Sequence, residues 1–134
     1  MRVFFYRSLL VLMILFVVPM LFVAASWSRD SNVPIFIFNH TIKHMLTCSM
    51  EPDIPVGSLI IVQRVSPEEL QAGDVITFTV SQSTTLTHQI LNIWPDYIDG
   101  QIGFQTAGIN GVPDNLIVLE DDVLGRVVHT IPRL

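Results

Sequence analysis

The pattern of apolar and polar positions divides the chain into two unequal parts. Residues 9–25 form an apolar run of Leu, Val, Met, Ile, Phe and Ala that no charge interrupts. A run of that length spans most of a bilayer and is too long for an ordinary core helix, so it predicts one N-terminal transmembrane helix. Pro19 lies inside it, which membrane helices tolerate as a kink. Beyond residue 33 the period shortens to two, and short runs rich in Val, Ile, Thr and Phe alternate with Gly, Pro, Asp and Asn, the pattern of a mostly β domain. Residues 34–38 read as a first strand, and 59–64 as a strand buried on both faces. A helical turn is expected at Ser66-Pro67-Glu68-Glu69, with Ser66 able to cap it and Pro67 at its first position. Alternating strands follow at 75–80 and 85–94, and Asp99-Gly100 is a hairpin signal that pairs the latter with 101–106. A loop is expected at 107–115, then a strand at 116–119, an acidic turn at 120–122 and a last strand at 123–131.

Charge adds an orientation. Arg2 and Arg7 precede the apolar run, whereas Ser28-Arg29-Asp30 after it is mixed, so the positive-inside bias puts the N-terminus in the cytoplasm. Residues 1–27 are then a cytoplasmic tip and membrane helix, and 28–134 an extracytoplasmic β domain. A cleaved signal peptide is the alternative, with small residues at Val23-Ala24-Ala25, but the run exceeds the usual apolar core of about 7 to 15 residues. From residue 30 onward four basic side chains face all twelve acids of the chain, a net charge of −8. Such a balance repels phosphate backbones and excludes nucleic acid as a partner. The single cysteine, Cys48, excludes an intramolecular disulfide and a multi-cysteine zinc site.

Candidate chemistry centres on Thr47-Cys48-Ser49-Met50-Glu51-Pro52. A serine hydroxyl is a weak nucleophile until a neighbouring base takes its proton. The one lysine, Lys43, lies six residues before Ser49 instead of on a later strand. His88 shares a strand face with Leu86 and Ile90, and a neutral imidazole is what a general base must be. Blander roles remain open for both: a turn or cap for Ser49, a core position for His88. The backbone N–H of Ser49 is the natural donor to an oxyanion. His40, His44 and Cys48 recur every four residues, which on a helix aligns three metal ligands. Asp74 after Gly73 suits a turn, and His129 a structural position.

The run from Ser49-Met50-Glu51-Pro52 through Gly57-Ser58 to Leu59-Ile60-Ile61-Val62 resembles the nucleophile motif of the type I signal peptidases. Gly73-Asp74-Val75-Ile76-Thr77-Phe78 resembles that family's next box. Leu86-Thr87-His88-Gln89-Ile90 resembles the next again, in the serine-histidine branch of the endoplasmic reticulum, archaea and Gram-positive spore-formers. The resemblance implies a small signal-peptidase-like β domain behind one membrane helix, anchored in the cell membrane, or in the endoplasmic reticulum membrane of a eukaryote. It implies a serine endopeptidase that removes N-terminal signal peptides from exported preproteins at the outer membrane face, without cofactor or metal. Its partners are those signal peptides, the lipid bilayer and additional membrane subunits. Ser49 is then the nucleophile and His88 the base, with the Thr47 hydroxyl as second oxyanion donor. Met50 belongs to the substrate site and, with residues 34–38, lies near the bilayer. The loop aspartate expected after Gly108 is replaced by Ile109. With one residue deleted there, Asn110 and Pro113-Asp114 stay in place, and Asp114 becomes the third member. Cys48 stands where the family has glycine. Two other readings follow from these departures: a catalytically impaired accessory or binding subunit, and a membrane-anchored metal-binding surface domain.

Overall fold

The computed structural model describes residues 2–29, 36–82 and 84–133. Two compact units make up the chain, Met1–Pro34 and Ile35–Leu134. The first contains a helix, α1 (Arg2–Arg29), with Pro19 inside it. Within α1 the described side chains, those of residues 6–7 and 11–23, are all exposed. Among the described residues no helix is long and apolar enough to cross a membrane. The membrane helix expected from the sequence is therefore not shown by the structure.

The second unit is mostly β, as the period-two patterning predicts. Its strands are β1 (His40–His44), β2 (Leu59–Gln63), β3 (Val75–Ser81), β4 (Thr84–Ile98), β5 (Gln101–Ala107), β6 (Pro113–Leu119) and β7 (Val123–Ile131). They form one seven-stranded sheet in the order β1-β2-β7-β3-β4-β5-β6, and every pairing is antiparallel. Short 3₁₀ turns at Pro67–Glu69 and Glu120–Asp122 occupy the two turn positions read from the sequence. Ser66 makes no side-chain cap on the first of them.

The first strand begins later than expected. Pro34 and Ile35 lie outside the described residues, and Ile37 and His40 exchange backbone hydrogen bonds of 2.8 and 2.9 Å. Between them Phe38 and Asn39 have φ of 49° and 63°, the left-handed pair that a tight hairpin requires. The strand composition of Phe36-Ile37-Phe38 thus yields to the turn chemistry of Asn39. β4 runs to Ile98, past the expected end at Trp94, because bulges against β5 let the pairing continue. Asp99 and Gly100, with φ of 52° and 81°, make the hairpin turn that their sequence predicts. β6 begins at Pro113 inside the expected loop, which places Asp114 on a strand.

Two buried clusters support the sheet. Leu70, Ile76, Phe78, Ile90, Phe104 and Val118 form one; Met45, Met50, Ile54, Ile60 and Val62 form the other. β7 links them, since Val123 packs on the first and Val127 on the second. Each side chain of this size removed from water contributes about 1.5–3 kcal/mol. The second cluster matters most for chemistry, because three of its members belong to the loop that carries Ser49.

Candidate active site

Ser49 sits in the long connection between β1 and β2. The loop is closed at its base by bonds from Met45 N to Ser58 O and from Gly57 N to Met45 O, both 2.8 Å. Its sides are pinned by Met45, Met50 and Ile54, which are buried with Ile60 and Val62. Met50 is only 2% exposed, so its side chain is presented neither to a substrate nor to a bilayer, contrary to the expectation from the sequence. An apolar side chain beside a serine on a turn buries, and by burying it fixes the height at which Ser49 stands. Glu51 tightens the same loop by accepting Val56 N at 3.1 Å.

From the other side Ser49 is braced by the β5–β6 connection. Its carbonyl accepts Ile109 N at 2.8 Å, and a Cβ added at Gly108 would lie 2.6 Å from that same oxygen. Gly108 is thus required by close backbone approach rather than by conformational freedom. Gly108→Ala is expected to push the Ser49 loop away. Overpacking of this kind costs about 1–3 kcal/mol, and a displacement on the order of 1 Å at reacting atoms lowers turnover about 100-fold. Thermal melting and a cleavage assay on one preparation check both.

His88 lies in the middle of β4, paired to Ile76 of β3, and is 7% exposed. Its ring meets Phe78 edge-on, with centroids 6.2 Å apart. His88 Nε2 is 3.0 Å from Ser49 Oγ, and Nδ1 is 2.6 Å from Asp114 Oδ2. Asp114, the second residue of β6, also accepts a hydrogen bond of 2.6 Å from the Thr106 hydroxyl. An ionised carboxylate only accepts, so Nδ1 carries the proton and Nε2 offers a lone pair to the Ser49 hydroxyl. Thr47 Oγ1 lies 3.2 Å from Ser49 Oγ, which brings the fourth sequence-derived residue to the same place. A cleft of about 330 Å³ opens over Ser49, His88, Gly108, Asn110, Val112 and Asp114.

The remaining candidates fall elsewhere. His40 and His44 are the two ends of β1, separated by about 13 Å at the usual rise of a strand. The helical alignment of His40, His44 and Cys48 is therefore not formed. No group of three or more His, Cys, Asp or Glu able to hold a metal occurs among the described residues. Cys48 is exposed. Asp74 serves its turn by accepting Gln71 N at 3.0 Å, and it also meets Arg126 at 3.4 Å. His129 is exposed on β7 opposite Ile61, away from the cleft lining. Thr106 was not singled out in the sequence, where a threonine in a β run signals strand propensity and nothing more.

A cleft on an antiparallel sheet, with serine, histidine and aspartate hydrogen-bonded in series, has the geometry of serine hydrolases, and similarity to a curated protein supports a relationship to the type I signal peptidases. That relative is Signal peptidase I W of Bacillus subtilis (strain 168), 35% identical over 96 residues, which cover 71% of this chain and 50% of the relative. The chain thus spans about half the length of the curated relative it matches. No protein-family model matches it.

Proposed function

We propose that the protein is a serine endopeptidase of the signal peptidase I kind, in its serine-histidine form, that cleaves signal peptides from exported preproteins. The observation that carries this reading is the unbroken series Asp114–His88–Ser49, with contacts of 2.6 and 3.0 Å. His88 Nε2 takes the Ser49 proton as Oγ attacks the scissile carbonyl. The Ser49 N–H and the Thr47 hydroxyl receive the developing oxyanion. The imidazolium then gives its proton to the leaving amine, and a water activated by the same nitrogen releases the acyl group from Ser49. Asp114 keeps Nδ1 protonated and faces the imidazolium while it exists.

An extended substrate suits a site on a sheet, where added main-chain bonds give affinity and alternate side chains fill pockets. Membrane attachment through the N-terminal segment belongs to the same proposal. It is supported by the uncharged run at residues 9–25 and by the exposed apolar side chains of Ile37, Phe38, Ile42 and Leu46 at one edge of the sheet. In this reading residues 1–27 are the cytoplasmic tip and single span, and the β domain faces outward. The alternative of an impaired accessory subunit had two grounds, the missing aspartate after Gly108 and Cys48. The contact of Asp114 with His88 weighs against the first, and the exposure of the Cys48 side chain against the second.

The test is processing of purified preproteins by the full chain in detergent. A precursor with alanine at the first and third positions before the cut is expected to be cleaved at that bond. Tryptophan at the first position should reduce the rate by at least about 100-fold, since several kcal/mol of misfit enter the transition state. Absence of cleavage of any precursor by the wild-type chain would sink the assignment.

A further inference from the structure

Thr106 is fully buried on β5, opposite Ile90 of β4. β5 is an inner strand, flanked by β4 and β6, whereas β6 lies at the end of the sheet. Asp114 therefore stands on an edge strand, and its side chain is 28% exposed. A single hydrogen bond to His88 leaves such a carboxylate free to swing toward water about its two side-chain torsions. The Thr106 hydroxyl supplies a second bond, and it goes to Oδ2, the same oxygen that accepts His88 Nδ1–H. Both contacts are 2.6 Å, within the range of charge-assisted bonds. The carboxylate has no proton to give, so the hydroxyl is the donor. No other side-chain hydrogen bond to Asp114 occurs among the described residues. A hydroxyl at a fully buried strand position costs free energy unless it is hydrogen-bonded, and its one side-chain bond goes to Asp114.

We infer that Thr106 is a positioning residue: it anchors the Asp114 carboxylate to the inner sheet, and so holds His88 in the tautomer and orientation that face Ser49. This rests on the proposed roles of Ser49, His88 and Asp114, and the experiment separates the two. Thr106→Val in the full chain removes the donor and keeps the shape. It is expected to lower kcat on a preprotein by about 10- to 100-fold, the worth of a hydrogen bond to a charged group, with KM unchanged. Thr106→Ser, which restores the hydroxyl, should recover most of that loss. Combined with Asp114→Asn, Thr106→Val should add little, because a residue acting through Asp114 has nothing left to act on. An additive double variant, or equal damage from serine and valine, overturns the inference.

A readout independent of turnover is the low-field proton resonance of His88 Nδ1–H in the same full-length protein. Thr106→Val should shift or broaden it, and Asp114→Asn should shift it further upfield or abolish it. An unchanged resonance in Thr106→Val overturns the inference whether or not the protein cleaves preproteins. A wild-type chain that shows the resonance response and cleaves nothing instead defeats the proposed function and leaves the anchoring of Asp114 standing.

Discussion

Alanine at Ser49 or at His88 is expected to remove preprotein cleavage, each change alone lowering kcat on the order of 10⁶-fold, and the double variant falling no further than either single one. The reason lies in the 3.0 Å contact between His88 Nε2 and Ser49 Oγ. Without the imidazole the hydroxyl has no acceptor for its proton; without the hydroxyl the imidazole has no nucleophile to activate. Each residue is worth nothing alone, so their losses cannot add. The thiol of the adjoining residue, Cys48, is exposed and makes no hydrogen bond with His88 among the described residues. The measurement is the initial rate of product formation for wild type, both single variants and the double. Retention of even one-tenth of the wild-type rate by Ser49→Ala would refute the role given to that hydroxyl. Melting temperatures control for folding, particularly at His88, which is 7% exposed and whose truncation leaves a cavity beside Phe78.

The class of the fold was legible because strand periodicity is local: the pairing of β4 with β5 is written in alternating side chains and in Asp99-Gly100. The insertion of β7 between β2 and β3 was not, since it joins Ile61 to His129 and Ile76 to Arg126, contacts far apart in sequence that no local pattern encodes. Turn chemistry explains the misplaced first strand, where Phe38 and Asn39 take positive φ against the apolar composition around them. For the site, the proximity of Ser49 and His88 was foreshadowed by a motif and by strand parity. That of Asp114 depended on the resemblance, because its strand starts inside what reads as a loop. Met50 was misread for a physical reason. A methionine beside a serine in a motif suggests contact with substrate, yet loop closure at Met45 and Gly57 turns it into the core. Thr106 was silent, because its one informative partner lies on the neighbouring strand.

The same geometry makes Asp114→Asn a sharper probe than any alanine. A drop in kcat of about 10⁴-fold is expected, with KM little changed, as in triads where the amide preserves shape and spoils the tautomer. If the amide oxygen faces His88 and Thr106, both donors keep an acceptor, but the imidazolium formed in the transition state loses its counter-charge. If the amide nitrogen faces them, it meets Nδ1–H as one donor against another. The proton then moves to Nε2, where it points at Ser49 and blocks proton abstraction. Either orientation lowers the rate without emptying the site. Asp74→Asn is the matched control, since Asp74 is also an aspartate beside a strand with a carboxylate in use. It holds Gln71 N and meets Arg126, so its loss should lower the melting temperature and leave kcat within about two-fold. A half-exposed ion pair at 3.4 Å is worth little more than the roughly 0–1 kcal/mol of a surface pair. Were the two variants to lose activity equally, the carboxylate contact to His88 would have no special standing, and the serine and histidine would act as a dyad.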